Sequence, residues 1–173
     1  MSAASPPLSP PLPGASFGQA ISRFFRKYAT FRGRASKSEF WWVALFLFLV
    51  ALVPNTLLAI GLTSGLVHSF GERVPVSAGT DPDTAALVGY AHPPLLDDPT
   101  AMALIPLGAL LGGILFAALA VPTLALVWRR LHDAGLAGPW FLVTLLPVVG
   151  VLFFLVLMLQ PTARGARRFD APA

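Results

Sequence analysis

The sequence predicts an all-α integral membrane protein. Three transmembrane helices are expected, the third broken around Pro147 and Gly150, with a short amphipathic interfacial helix ahead of them. Two observations carry this expectation. Residues 40–62, 102–128 and 139–159 contain no Asp, Glu, Lys or Arg, and a bilayer core about 30 Å thick needs about 20 helical residues. Charged residues make up 12% and apolar residues 55% of the 173, against about 25% charged in a soluble domain. A soluble helical bundle would need polar faces toward water, whereas these runs are apolar all round.

Residues 1–16 hold Pro6, Pro7, Pro10, Pro11 and Pro13 among Ser and Ala, the composition of a solvated, disordered tail. Residues 17–35 follow. Phe17, Ile21, Phe24, Phe25, Tyr28 and Phe31 recur at helical spacing, with Arg23, Arg26 and Lys27 between them. That pattern suits an amphipathic helix lying at the headgroup level, followed by a basic loop.

The membrane domain, residues 36–170, opens with Ser36-Lys37-Ser38-Glu39. This is the capping-box pattern, in which Ser36 caps the first span and Glu39 reaches back to the Ser36 amide. Glu39 also complements the positive end of the helix dipole. Arg32, Arg34 and Lys37 are expected at the surface, each drawn to anionic lipid by about 1 kcal/mol. Trp41 and Trp42 sit where an aromatic belt belongs. The first run begins too far into the chain, and is too long, for a signal-peptide core, so it reads as retained.

Residues 63–100 read as a polar external loop with little regular structure. Their acids, Glu72, Asp81, Asp83, Asp97 and Asp98, lack the spacing of a calcium-binding loop. In the second run, Gly108 and Gly112, then Gly113 and Ala117, form small-xxx-small faces for close helix contact. Pro106 and Pro122 are candidate kink points. After a polar corner at residues 129–138, Pro139 suits the first turn of the third run, and Pro147 with Gly150 should break it.

Six cations precede the first run, one lies in the acidic loop, two in the corner and three in the tail. The positive-inside rule then puts the amino terminus in the cytoplasm and the loop outside. Three full crossings leave eight cations inside and four outside. A third run that enters, breaks and returns leaves eleven inside.

Two stretches, FRGRASKSEFWW at residues 31–42 and RRLHDAG at residues 129–135, resemble the signatures of the domain of unknown function 805 family of bacterial inner-membrane proteins. The similarity covers residues 23–62 and 101–170. After the histidine motif this chain has Ala137-Gly138-Pro139-Trp140 where the family usually has serine-glycine-tryptophan-tryptophan. Of the family's usual ending, Arg167-Arg168-Phe169-Asp170 keeps the aromatic. The resemblance implies a small inner-membrane protein and supplies no catalytic residue.

The candidate structural or lipid-contact residues are therefore Arg32, Arg34, Glu39, Arg129, Arg130, His132 and Asp133. A partly buried pair between Glu39 and Arg129 or Arg130 would lock the first two spans together. His132-Asp133 alone lacks the further ligands of a metal phosphohydrolase, and no serine elbow or phosphate-cradling glycine loop occurs. No enzyme, cofactor or metal is expected. Without cysteine there is no disulfide framework and no thiolate site. The net charge of +4 flanks apolar runs, which argues against nucleic acid as a partner. The expected partners are the bilayer and its anionic lipids, with an unidentified membrane protein or a second copy. The sequence thus predicts a structural or accessory membrane protein. A lipid- or phosphate-headgroup binder using Arg32, Arg34, Arg129 and Arg130 is the alternative. A transporter or channel is disfavoured, because such paths use ionisable residues within the spans.

Overall fold

The computed structural model describes residues 10–72, 74–77 and 88–170. The described chain is helical except for one short antiparallel ladder. Helix α1 is Phe17–Arg26, α2 is Lys37–Gly71, α3 is Pro99–Asp133 and α4 is Val149–Leu159. Strands β1 (Val74–Ser77) and β2 (Val88–Ala91) pair with Val74 opposite Ala91. Single-turn and longer 3-10 segments cover Leu95–Asp97, Gly138–Leu145 and Arg164–Phe169.

Helices α2 and α3 have 35 residues each and are long and apolar enough to cross a membrane. At 1.5 Å per residue each runs about 52 Å, well beyond a hydrocarbon core of about 30 Å. Both exceed the apolar runs that announced them. The start of α2 is extended by the cap at Ser36, and its far end continues through Ser64, His68 and Ser69, which helices tolerate. The 63–100 segment is thus less irregular than expected. It gives α2 its last two turns and contains the β-ladder, a pairing that the turn-rich composition obscured.

The fold divides near residues 48 and 116 into two compact units. Within the 49–116 unit the two helices approach closely at glycines. A Cβ on Gly108 would stand 2.9 Å from the Pro54 carbonyl oxygen, and one on Gly61 would stand 2.9 Å from Ile105. The small-residue face at Gly108 therefore serves packing inside the chain, and Gly113 meets nothing within 4 Å. Asp98 caps α3, its Oδ2 accepting from the Ala101 amide at 2.7 Å and from the Ser64 hydroxyl at 2.8 Å.

The other unit holds α1, the start of α2, the end of α3 and everything beyond. Here the third apolar run departs from a full crossing. It leaves the corner after Asp133 as the 3-10 segment Gly138–Leu145 and turns at Pro147 and Val148. It then returns as α4, after which the Ala163 amide donates to the Asp133 carbonyl at 2.9 Å. Eight residues at about 2.0 Å and eleven at about 1.5 Å give two limbs of about 16 Å each. Two long helices and a short returning hairpin thus stand where three spans were expected, and a third span is not confirmed. The break lies where Pro147 and Gly150 put it. Val148 takes φ 62° and ψ −66°, and the Val149 amide donates to the Pro147 carbonyl at 2.7 Å, a γ-turn.

The limbs pack through Trp140 and Phe153, whose ring centroids lie 6.3 Å apart. Gly150 lets the backbones meet, because a Cβ there would fall 1.9 Å from the Val143 carbonyl oxygen. Gly150→Ala should therefore force the limbs apart and cost about 1–3 kcal/mol. Gly165→Ala, which meets nothing within 4 Å, should stay within about 0.5 kcal/mol of the parent. Thermal unfolding followed by circular dichroism in detergent measures both, and equal midpoints would refute the packing role of Gly150.

Candidate functional site

The motif residues converge in a buried charged cluster where α1, the start of α2 and the end of α3 meet. The expected capping box forms. The Glu39 amide donates to Ser36 Oγ at 3.2 Å, and the Ser36 amide donates to Glu39 Oε2 at 2.8 Å. The ion pair of Glu39 differs from expectation. Its Oε1 accepts from Arg23 Nε on α1, not from Arg129 or Arg130. A helix with three cations among aromatics reads as interfacial, but α1 turns Ala20, Arg23 and Phe24 inward. Phe17, Phe25 and Tyr28 remain 40–45% exposed.

Residues 10–16 also depart from the solvated-tail expectation, and residues 1–9 lie outside the described residues. The Leu12 carbonyl accepts from Ser36 Oγ at 2.7 Å, the Ala15 amide donates to Ser38 Oγ at 3.0 Å, and the Pro10 carbonyl accepts from Arg23. The segment is a strap laid across the start of α2.

Arg130 is fully buried and spends its donors on two tasks. Nη1 donates to Asp133 Oδ2 at 2.7 Å, one helical turn on. Nε and Nη2 donate to the Met158 carbonyl at 3.2 and 3.0 Å, and Nη2 also to that of Gln160. These carbonyls end α4, so a cation meets the negative end of that helix and satisfies acceptors with no intrahelical donor. Asp133 Oδ2 also accepts from the Thr162 hydroxyl at 2.8 Å.

The basic loop closes over this corner. The Ala35 amide donates to the Arg129 carbonyl at 3.0 Å, and the Gly33 amide to that of Phe169 at 3.1 Å. Gly33 holds φ 84°, a backbone region that disfavours side chains. His132 Nδ1 lies 3.1 Å from the Gly33 carbonyl, and its ring stacks on Phe169 at 4.2 Å. The imidazole thus joins two segments, and among the described residues no group of three metal-ligating side chains forms.

Arg34 makes a two-point pair with Asp170, at 2.7 and 2.8 Å, and its Nη1 stands 3.6 Å from Asp133 Oδ1. Hydrogen bonding to Arg34 holds the Asp170 carboxyl below the usual carboxylate range.

Among the motif arginines only Arg32 is exposed. Arg129 and Arg130 are 2% and 0% exposed, which removes them from the surface position that headgroup contact requires. Arg129 Nε donates back to the Ala125 carbonyl at 3.1 Å, while its Nη2 and Asp133 Oδ1 are buried without a hydrogen-bond partner. Sequence reasoning missed Arg23, Thr162 and Asp170. Arg23 was visible as a cation on the inward face of α1, whereas nothing in the local pattern around Thr162 or Asp170 pointed to pairing.

Two tests follow from the charge balance. Glu39→Gln keeps an acceptor for the cap but leaves Arg23 without its buried partner charge. It should cost about 3–5 kcal/mol, and Arg23→Met in that background should recover part of the loss. Simple additivity in this double-mutant cycle would refute the pairing. Lys27 is buried beside Arg23 and Arg129. Burial first, then those two guanidiniums, push its ammonium down to about 8, with Glu39 opposing. The unfolded chain therefore holds this proton up to about 10.5 while the folded chain loses it near 8. Stability should rise with pH across that window. Lys27→Met should flatten this rise in unfolding titrations, and an unchanged slope would refute it.

The match to known families falls on this same architecture. The family model described as "Protein of unknown function (DUF805)" matches residues 28–171, a span that includes the basic loop, both long helices, the returning hairpin and Asp170. Neither a curated protein nor a solved structure matches the chain. The chain belongs to the DUF805 family of proteins of unknown function.

Proposed function

We propose that this chain is a structural or accessory protein of the bacterial inner membrane, crossing it twice. On this reading α2 and α3 are the crossings, the third run is re-entrant, and both termini face the cytoplasm. One observation carries the orientation. The third run begins and ends at the Arg130–Asp133 cluster, so eleven of the twelve Lys and Arg residues fall on one side. The positive-inside rule favours that side as cytoplasmic.

The accessory reading is supported by how the motif charges are used. Arg130, Glu39 and Arg34 spend most of their hydrogen-bonding capacity on neighbouring side chains, with backbone carbonyls added for Arg130 and the Ser36 amide for Glu39. Such a cluster latches α1, the two crossings and the hairpin at one membrane face. The exposed side chains of α4, with Val149 69% and Leu152 59% accessible, then meet lipid. Anionic lipid at Arg32, Arg26 and the tail arginines would reinforce the orientation.

Reporter fusions at each terminus and between β1 and β2 test this. Cytoplasmic signal from both ends, with external signal from the insertion, is expected. An external carboxyl terminus would overturn it.

A further inference from the structure

Helix α1 has three sides, and the charged cluster uses one of them. Ala20, Arg23 and Phe24 turn inward, and Lys27 is buried with them. About a quarter-turn round, Phe17, Ile21, Phe25 and Tyr28 recur at steps of four, four and three residues, which align on one helix face. Phe17, Phe25 and Tyr28 are exposed and Ile21 is half-buried. Farther round stand Gly18, Gln19, Ser22 and Arg26, also exposed. The aromatic stripe therefore lies between a protein-facing side and a polar side.

The contacts of the stripe give its direction. Phe17 meets Trp42 edge-on with ring centroids 5.8 Å apart, and Phe25 meets Phe46 in the same way at 6.1 Å. The Tyr28 hydroxyl donates to the Ala118 carbonyl at 2.6 Å. Glu39, which holds α1 through Arg23, precedes both of those α2 rings. Trp42 and Phe46 stand about 4 and 10 Å beyond it along the helix. Ala118 stands about 16 Å along α3 from Arg129, inside the charge-free run. All three contacts thus fall on the apolar side of the charged cluster. Trp42 and Leu45 are exposed as well, so the stripe continues the apolar surface of a helix long enough to cross a membrane.

We propose that the flank of α1 formed by Phe17, Ile21, Phe25 and Tyr28 inserts into one leaflet of a phospholipid bilayer and sets how deep the charged cluster sits. Aromatic rings suit the boundary between headgroups and acyl chains, where an amphipathic helix buries its apolar side about 5–10 Å. Arg26 and Arg32, both exposed, meet the lipid phosphates. The Arg23–Glu39 pair is then held at the headgroup level, above the acyl chains. This rests on the membrane reading above. It departs from the sequence pattern by withdrawing Phe24 into the protein and by fixing which flank of the helix meets lipid.

The chain has no cysteine, so single spin labels report position in proteoliposomes of phosphatidylethanolamine and phosphatidylglycerol. Labels on Phe17→Cys and Phe25→Cys should relax several-fold faster with oxygen, which concentrates among acyl chains, than with a water-soluble nickel chelate. Labels on Ser22→Cys and Arg26→Cys should show the reverse. Nickel-dominated relaxation at Phe17 and Phe25 would place the stripe in water and overturn the proposal. Relaxation by neither agent would mean that protein covers the stripe, and overturns it equally. A label on Phe48→Cys, an exposed position of α2, separates the two readings. Oxygen access there with nickel access at Phe25 retains the membrane-crossing helix and removes only the insertion of α1. Phe25→p-benzoylphenylalanine keeps a ring against Phe46 and guards against a label that disturbs the helix. On irradiation it should crosslink to phospholipid, whereas crosslinked pairs of chains would assign the face to a second copy and overturn the proposal.

Discussion

The Arg130–Asp133 pair is the constraint on which this fold turns. Both side chains lie within the last turn of α3 and are withdrawn from solvent. Removing two charges from water costs several kcal/mol for each ion, and only good geometry with further hydrogen bonds offsets it. Here the further bonds come from elsewhere in the chain. Arg130 takes the terminal carbonyls of α4, and Asp133 takes the Thr162 hydroxyl. The pair is satisfied only when the third run has come back to its starting point. A full crossing would carry Met158, Gln160 and Thr162 to the opposite face and leave the guanidinium with acceptors from Asp133 alone. In this sense two charges at the end of one helix determine the path of the following twenty-five residues.

A second layer of pairing repeats this logic on the other side. Arg23 reaches Glu39, and Arg34 reaches Asp170. Each joins segments remote in sequence, and the first draws on backbone groups as well: the Pro10 carbonyl for Arg23, the Ser36 amide for Glu39. Buried ion pairs contribute little net stability against an apolar alternative, and their better attested role is to fix one arrangement among several. That role suits a chain whose remaining surface is interchangeable hydrocarbon. Apolar helices in lipid can slide and rotate at small cost, because lipid tails compete equally for their side chains. Directional charges at one end, and glycine contacts between Gly108 and Pro54 farther along, supply the register that greasy surfaces lack.

The sequence disclosed those features whose cause is local. Charge-free runs marked α2 and α3, Ser36 with Glu39 marked a helix start, and Pro147 with Gly150 marked a break. Each depends on residues within a few positions of one another. The lengths of α2 and α3 were underread because their last turns carry Ser, His and Asp, which are compatible with a helix but do not announce one. The β-ladder joins positions eleven to seventeen apart in a segment rich in turn residues. The strap at residues 10–16 was hidden by composition, since its proline content suits a free tail and its bonds to Ser36 and Ser38 appear only in three dimensions. Glu39 was expected to pair with Arg129 or Arg130, and its partner is Arg23. Spacing along one helix could not choose Arg23 over Arg129. Asp170 was less legible still, for a lone acid in a basic tail has no pattern to betray it.

The returning hairpin raises a physical objection that its own geometry answers. Irregular backbone facing lipid leaves polar groups without water, and this is normally prohibitive. The turn at residues 146–150 limits that exposure in two ways. Pro147 has no amide hydrogen to satisfy. The Leu146, Val149 and Gly150 amides donate to the carbonyls of Val143, Pro147 and Leu146, all within the hairpin. The remaining cost is conformational, held at Val148, whose positive φ is expensive for a β-branched residue. Glycine at that position would relieve the backbone but would remove an apolar side chain from the deepest point of the hairpin, where it is 72% exposed. Retaining valine is reasonable only if its surroundings reward apolar surface. In water the exposed row of Leu145, Leu146, Val148 and Val149 would be a large unfavourable patch, whereas in hydrocarbon it costs nothing. The strained turn and the oily tip therefore fit the same apolar surroundings proposed for the two long helices.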